Sequence, residues 1–224
     1  MNLKGIRVII TGATGMVGEG VLLECLQNEY VEKVLLLNRR HSDLTHEKLS
    51  ELIVPDFSQL ARFKDPLVGY DACFYCAGKS SNGMSEKDYT AVTYDNTIAV
   101  STVLKDVNPG LVFCFISGRH TDATEKGKTM WARIKGKTEN AIIRLFGSNG
   151  YNFRPALMKT SPGQKNVYGY NKLTTSRWLY PLLSIFFPSC SIEDIGKAMI
   201  SVSLNGYSKH TLEVDDIKSA AKNF

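Results

Sequence analysis

Gly12, Gly15 and Gly18 stand three residues apart in Thr11-Gly12-Ala13-Thr14-Gly15-Met16-Val17-Gly18, after the apolar run Ile6–Thr11 and before a helical pattern. Residues without a Cβ let a chain turn sharply and bring backbone N–H groups against a phosphate, at the positive end of the helix that follows. In that context the spacing predicts a pyrophosphate site for a dinucleotide, with Thr14 and the N–H groups of Met16 and Val17 as further donors. The plainer alternative is an ordinary glycine-rich turn. At the end of the second strand of such a unit, an acidic residue usually accepts the ribose 2′-hydroxyl. Here that strand ends Asn38-Arg39-Arg40. Guanidinium groups can grip a 2′-phosphate that a carboxylate would repel, so NADP is expected over NAD. The alternative is that both arginines are solvated surface charge beside Asp43.

Other reactive residues carry weaker signals. The five cysteines, Cys25, Cys73, Cys76, Cys114 and Cys190, are odd in number and scattered, which argues for free thiols. Cys73 and Cys76 form a CxxC inside a strand-like run, where positions three apart face opposite sides, so no shared metal is expected. Tyr168-Gly169-Tyr170-Asn171-Lys172 spells YxxxK. It contains a glycine and follows the Arg154-Pro155 strand, so it reads as a coincidental loop, with Tyr168 or Tyr170 as a substrate-side donor the alternative.

These residues need elements to hold them. The strands expected are Ile6–Thr11, Lys33–Leu37, Leu49–Val54, Asp71–Cys76, Leu111–Ser117, Asn152–Arg154 and His210–Val214. Between them, Glu19–Asn28, Tyr89–Val107, Thr129–Phe146, Leu173–Phe187 and Glu193–Leu204 read as helices, with stops at Asn108-Pro109-Gly110 and Asn149-Gly150. Alternating strands and helices, with strands apolar on both faces, predict an α/β fold: a Rossmann-like doubly wound parallel sheet of about seven strands. No linker or repeat divides residues 1–224, so a single dinucleotide-binding domain is expected, the part after about Ala156 forming a small substrate-side elaboration. The apolar Trp178–Phe187 is expected to pack on the sheet, a substrate cover or dimer contact being the sharper alternatives.

The net charge of +5 is spread along the chain with no basic arm, which argues against nucleic acid and suits an anionic cofactor. The start lacks a signal-peptide core, and Trp178–Phe187 is about half the length of a membrane span. A cytoplasmic monomer or homodimer with no membrane span is expected.

Taken in order, the motifs resemble the short-chain dehydrogenase/reductase superfamily, in its atypical or extended branch, and in particular its NAD-dependent epimerase/dehydratase-like and Tat-interacting oxidoreductase-like members. The resemblance runs from Arg7 to about Val214. It implies that Asp56 and Phe57, in Val54-Pro55-Asp56-Phe57, meet the adenine, and that Cys76-Ala77-Gly78 passes beside its ribose. It implies that Arg154-Pro155-Ala156, with Pro155 and Leu157, lies near the nicotinamide, and that Ile192-Glu193-Asp194-Ile195-Gly196 opens a helix. The family's chemistry uses a Ser, and a Tyr and a Lys four apart on one helix. Ser117 and Lys135 match, the lysine also holding the cofactor ribose, but the tyrosine position is Trp131. An indole N–H donates a hydrogen bond but does not titrate in water, so ordinary carbonyl reduction or epimerisation needs another proton source. His120 is the candidate by location, against the alternative of a solvated loop histidine. Two functions follow as expectations: an NADP(H)-dependent oxidoreductase or epimerase-like enzyme on a small carbonyl or alcohol, or a non-catalytic NADP(H)-dependent regulator or scaffold.

Overall fold

The computed structural model describes residues 5–167 and 179–222. Seven parallel strands form the main sheet: β1 (Ile6–Thr11), β2 (Val31–Asn38), β3 (Leu49–Ile53), β4 (Ala72–Tyr75), β5 (Val112–Ile116), β6 (Gly150–Phe153) and β9 (Thr211–Leu212). Their order, β3-β2-β1-β4-β5-β6-β9, reverses between β1 and β4, which is where open α/β sheets collect ligands. All seven expected strands are present, and the fold is Rossmann-like. A second sheet, absent from the sequence reading, pairs β7 (Leu157–Lys159) with β8 (Ser189–Ser191) in parallel.

Strand alternation divides the core. Val8 and Ile10 of β1, with Val34 and Leu36 of β2, pack under α1 (Met16–Gln27), α6 (Ile192–Asn205) and α7 (Val214–Lys222). Ile9, Leu35 and Leu37 point the other way, under α3 (Asn96–Val107) and α4 (Met130–Phe146). Both faces are covered, so each strand reads as an unbroken apolar run. Cys73 belongs to the second core and Cys76 packs against the first, so the CxxC sulfurs face apart.

Several boundaries differ from those expected. α1 begins at Met16 rather than Glu19, because Gly18 and Gly20 tuck into the helix where their type alone suggests loop. The single helix expected over Tyr89–Val107 is interrupted: α2 (Glu86–Thr90) runs through a π turn, Ala91–Asp95, into α3. The stop of α4 is Gly147, whose φ of 56° suits glycine, and Asn149-Gly150 lies past it. The last strand is cut to Thr211–Leu212 because Val214 starts α7, whose few buried apolar residues are Val214, Ile217 and Ala220.

The helix expected over Leu173–Phe187 is α5 (Leu179–Phe186) where it is described; its first part, and Tyr168–Lys172, lie outside the described residues. The described part of this helix does not pack as the expected buried helix: Leu182, Ile185, Phe186 and Phe187 are 55–75% exposed, and α5 rests against β7 of the small sheet. Apolar composition alone reads as burial, and it cannot tell which side of a helix is left open. No helix among the described residues is long and apolar enough to cross a membrane.

Candidate active site

Gly12 adopts φ +72°, and a Cβ there would stand 2.6 and 2.7 Å from the backbone N and Cα of Ala77. A Cβ on Gly18 would overlap the carbonyl oxygen of Gly12. Both glycines are therefore imposed by close backbone approach, the first of loop to β4, the second of loop to helix. Thr11 completes the contact: its Oγ1 accepts the Ala77 N–H at 3.2 Å and its carbonyl accepts that of Cys76 at 3.3 Å. Gly15 is the extended N-cap of α1, so the first N–H groups of the helix, on Met16, Val17 and Gly18, have no carbonyl one turn back. Thr14 and Gly15 are exposed above them. A loop whose Gly12 and Gly18 admit no Cβ, open at a helix N-terminus, fits a dinucleotide pyrophosphate.

At the end of β2 the arrangement is richer than expected. Asn38 is buried and its amide donates to Glu51 at 2.8 Å. The same carboxylate accepts the Ser42 N–H at 3.0 Å and meets His41 Nδ1 at 2.9 Å. The Asn38 side chain is thus committed to Glu51, an acidic residue that the sequence reading missed because it sits on β3. Arg39 and Arg40 are exposed and form no ion pair among the described residues. Asp56 caps the short helical turn Phe57–Arg62, accepting the Ser58 N–H at 3.0 Å, and hydrogen bonding from the Ser58 side chain, with that backbone bond, holds its carboxyl below the usual range. The Phe57 ring is buried in the second core, so its side chain is committed to packing. Burial pushes the Cys76 thiol up to about 12, far from a thiolate at neutral pH. No packing demand is placed on Gly78, where a Cβ would meet open space.

Ser117 follows β5 and is buried; its N–H donates to the Phe153 carbonyl at 2.8 Å. Thr121, which the sequence reading missed, gives its own proton to the Gly118 carbonyl at 2.7 Å and so accepts from Ser117 Oγ at 3.0 Å. His120 lies exposed in this turn with φ +66°, a left-handed conformation uncommon outside glycine. Lys135, on α4, donates from Nζ to the carbonyl of Ile116 at 3.2 Å, and the Phe115 ring centroid is 5.4 Å from Nζ. The structure therefore brings Lys135 and Ser117 to the same strand end. Burial pushes the Lys135 ammonium down to about 8, against the opposing pull of Glu139. Trp131 is half-buried one helical turn earlier on that face of α4.

Four further features lock this frame. Gly136 lets the loop after β5 press on α4, since a Cβ there would overlap the Asp122 carbonyl oxygen. Arg154 is clamped by Glu139, with Nε–Oε1 2.9 Å and Nη2–Oε2 2.6 Å, and reaches Glu213 at 3.1 Å. Glu139 is 2% exposed and lies one turn beyond Lys135, so the same acid anchors β6 and supports the lysine charge. The Pro155 carbonyl accepts the Arg119 N–H at 3.1 Å, which places it beside the Ser117 turn, while Leu157 opens β7 and donates its N–H to the Pro188 carbonyl. Finally, the loop around residues 160–167 straps the first turn of α1. Gln164 Nε2 donates to the Met16 carbonyl at 2.6 Å, and Glu19 accepts the N–H groups of Lys165 and Asn166 at 2.9 and 2.7 Å.

The glycine cradle, the sheet order and the Ser/Lys strand end define a short-chain dehydrogenase/reductase-type protein. A family model, the NAD dependent epimerase/dehydratase family, matches residues 8–137, and the chain belongs to that family. It is 26% identical over 159 residues to Protein HTATIP2 of Rattus norvegicus, a match covering 70% of this chain and 64% of that relative's length. Its fold is similar to that of a UDP-N-acetylglucosamine 4-epimerase from Methanobrevibacter ruminantium (TM-score 0.69, 17% identity, covering 94% of this chain and 76% of that one). It is also similar to a short chain dehydrogenase from Burkholderia cenocepacia in complex with NADP (TM-score 0.67, 13% identity, covering 99% and 94%). A third, the enzyme WbmF of Bordetella bronchiseptica in complex with NAD+, has a TM-score of 0.66 at 13% identity, covering 99% and 78%. A nicotinamide dinucleotide is thus the cofactor class of the family.

Proposed function

We propose that this protein is an NADP(H)-dependent oxidoreductase acting on a small carbonyl or alcohol, with Ser117 and Lys135 as its catalytic residues. The observation that carries this reading is the meeting of Lys135 Nζ with the Ile116 carbonyl, 3.2 Å apart, immediately beside Ser117. The cofactor would be held at its pyrophosphate by the Gly12–Gly18 cradle, at its 2′-phosphate by Arg39 and Arg40, and at its adenine by Asp56. When bound, the nicotinamide supplies the hydride acceptor or donor. Ser117 orients the substrate oxygen by hydrogen bonding, its own geometry set by Thr121. The oxygen also needs a proton, and Trp131 cannot exchange one. Lys135, depressed to about 8, can do so near neutrality and takes over from the missing phenol. His120, in its strained exposed turn, is the second donor within the same segment.

The test is NADPH oxidation followed by absorbance across a panel of aldehydes and ketones, beside Lys135→Met and Ser117→Ala. Turnover of at least one carbonyl, reduced about 10²-fold or more in each variant, is expected. A second reading rests on Trp131, half-buried on the same face of α4: the protein binds NADP(H) without turnover, as a regulator or scaffold. That reading prevails if NADPH binds but no carbonyl is reduced, and if Trp131→Tyr also fails to create activity.

A further inference from the structure

We propose that α5 docks the protein onto an anionic lipid surface. Leu182, Ile185 and Phe186 lie at i, i+3 and i+4, one stripe of a helix, and are 56, 75 and 73% exposed; Phe187 continues the stripe at 55%. The other exposed large apolar residues among those described, Leu44, Phe63 and Val68, are separated from one another and from α5 in the chain. A contiguous exposed apolar stripe of this kind marks a contact surface.

Charge identifies the occupant. Between Glu139 and Glu193 the chain has no Asp or Glu but carries Arg144, Arg154, Lys159, Lys165, Lys172 and Arg177. Arg154 is taken by Glu139 and Glu213. Lys159, at the end of the β7 strand on which α5 rests, is exposed and forms no ion pair among the described residues, and the same holds for Lys165. The acids next along the chain are engaged: Glu193 with Lys197, and Asp194 in the cap of α6. Across a two-fold contact between copies, this segment would meet its own lysines with no carboxylate of its own to answer them. A bilayer with anionic headgroups answers both features, taking the apolar stripe into the interface and the lysines at the headgroups. The eight described residues of α5 can lie on such a surface but are too few to span it.

The experiment is co-sedimentation of the full chain with phosphatidylcholine vesicles, with and without about one part in three phosphatidylserine. Phosphatidylserine should strengthen binding roughly tenfold or more, and raising salt from about 0.05 to 0.5 M should abolish the gain. Ile185→Ser/Phe186→Ser and Lys159→Glu/Lys165→Glu should each weaken binding about tenfold at an unchanged melting temperature, which reports that the fold is intact. Absence of sedimentation with phosphatidylserine overturns the proposal, as does binding that both double variants retain. A wild-type dimer that Ile185→Ser/Phe186→Ser converts to monomer, without vesicle binding, would reassign the stripe to a contact between copies. None of these readouts depends on the cofactor or on turnover.

Discussion

Lys135 is a cation whose surroundings disfavour its charge, and that tension separates its part in stability from its part in chemistry. Its folded value of about 8 lies below the 10.5 of a free lysine. At pH 7 both folded and unfolded chains hold the proton, and the cost of burying the charge is present in full. Between about pH 8 and 10.5 the unfolded chain binds more protons, so this group's contribution to stability rises with pH through that window. Lys135→Met, similar in length, should therefore raise the melting temperature at pH 7 by roughly 2–5 °C while removing activity, and the gain should shrink by pH 10. Thermal melts at the two pH values check it; a melting temperature that falls at pH 7 would show the bond to Ile116 outweighing the burial cost. Glu139 acts on the same lysine from one turn away. Glu139→Gln removes the charge that supports the ammonium, so any activity that needs protonated Lys135 should lose its alkaline limb at lower pH than wild type. It also leaves Arg154 short of its main partner, at about 3–5 kcal/mol for a pair this buried, which urea unfolding would read.

At the scale of elements, α1 is held at both sides of its first turn, by β4 through Gly12 and by the 160–167 strap through Glu19 and Gln164. Glu19→Ala deletes two bonds to backbone N–H groups, each worth about 1.5–3 kcal/mol to a charged acceptor. Hydrogen exchange at the Lys165 and Asn166 amides should accelerate tenfold or more, with little change in β1 or β2; equal protection in the variant would detach the strap from the helix. The strap also shows where reading from residue types ends. Gly12 and Gly18 are legible in advance because glycine at a strand-to-helix turn has few other physical reasons to be there. Ser117 and Lys135 could be placed only through the resemblance to the short-chain dehydrogenase/reductase superfamily, whose Ser and Lys positions they match. Glu51, Thr121 and Gly136 could not, since each acts through a partner brought near only by folding: Asn38 across a strand, Ser117 across a turn, Asp122 across a loop. The π turn at Ala91–Asp95 is similarly invisible, as its residues suit an unbroken helix. It packs against α4, where Lys137 Nζ stands 4.2 Å from the Tyr94 ring centroid.

For the whole molecule, the cofactor is the link between a positively charged chain and its glycine cradle, and folding stability is the property that reports it. A ligand bound only by the folded chain adds about 2.7 kcal/mol at a hundredfold excess over its dissociation constant. For a chain of this size that is a rise of roughly 5–10 °C. NADPH should produce such a shift, and NADH a smaller one at equal concentration. The two arginines and the net charge of +5 predict different patterns when varied. If Arg39 and Arg40 grip the 2′-phosphate through directed bonds, Arg39→Ala/Arg40→Ala should reduce the NADPH shift to that of NADH and leave the NADH shift in place. If they act only through the general field, both shifts should shrink together and fade with added salt, because exposed charges are screened beyond about 8–10 Å. Glu51 sharpens the comparison: its carboxylate is held beside Asn38 and Ser42 by short hydrogen bonds. Glu51→Gln, which lifts a negative charge from the end of β2, should therefore strengthen NADPH binding more than NADH binding.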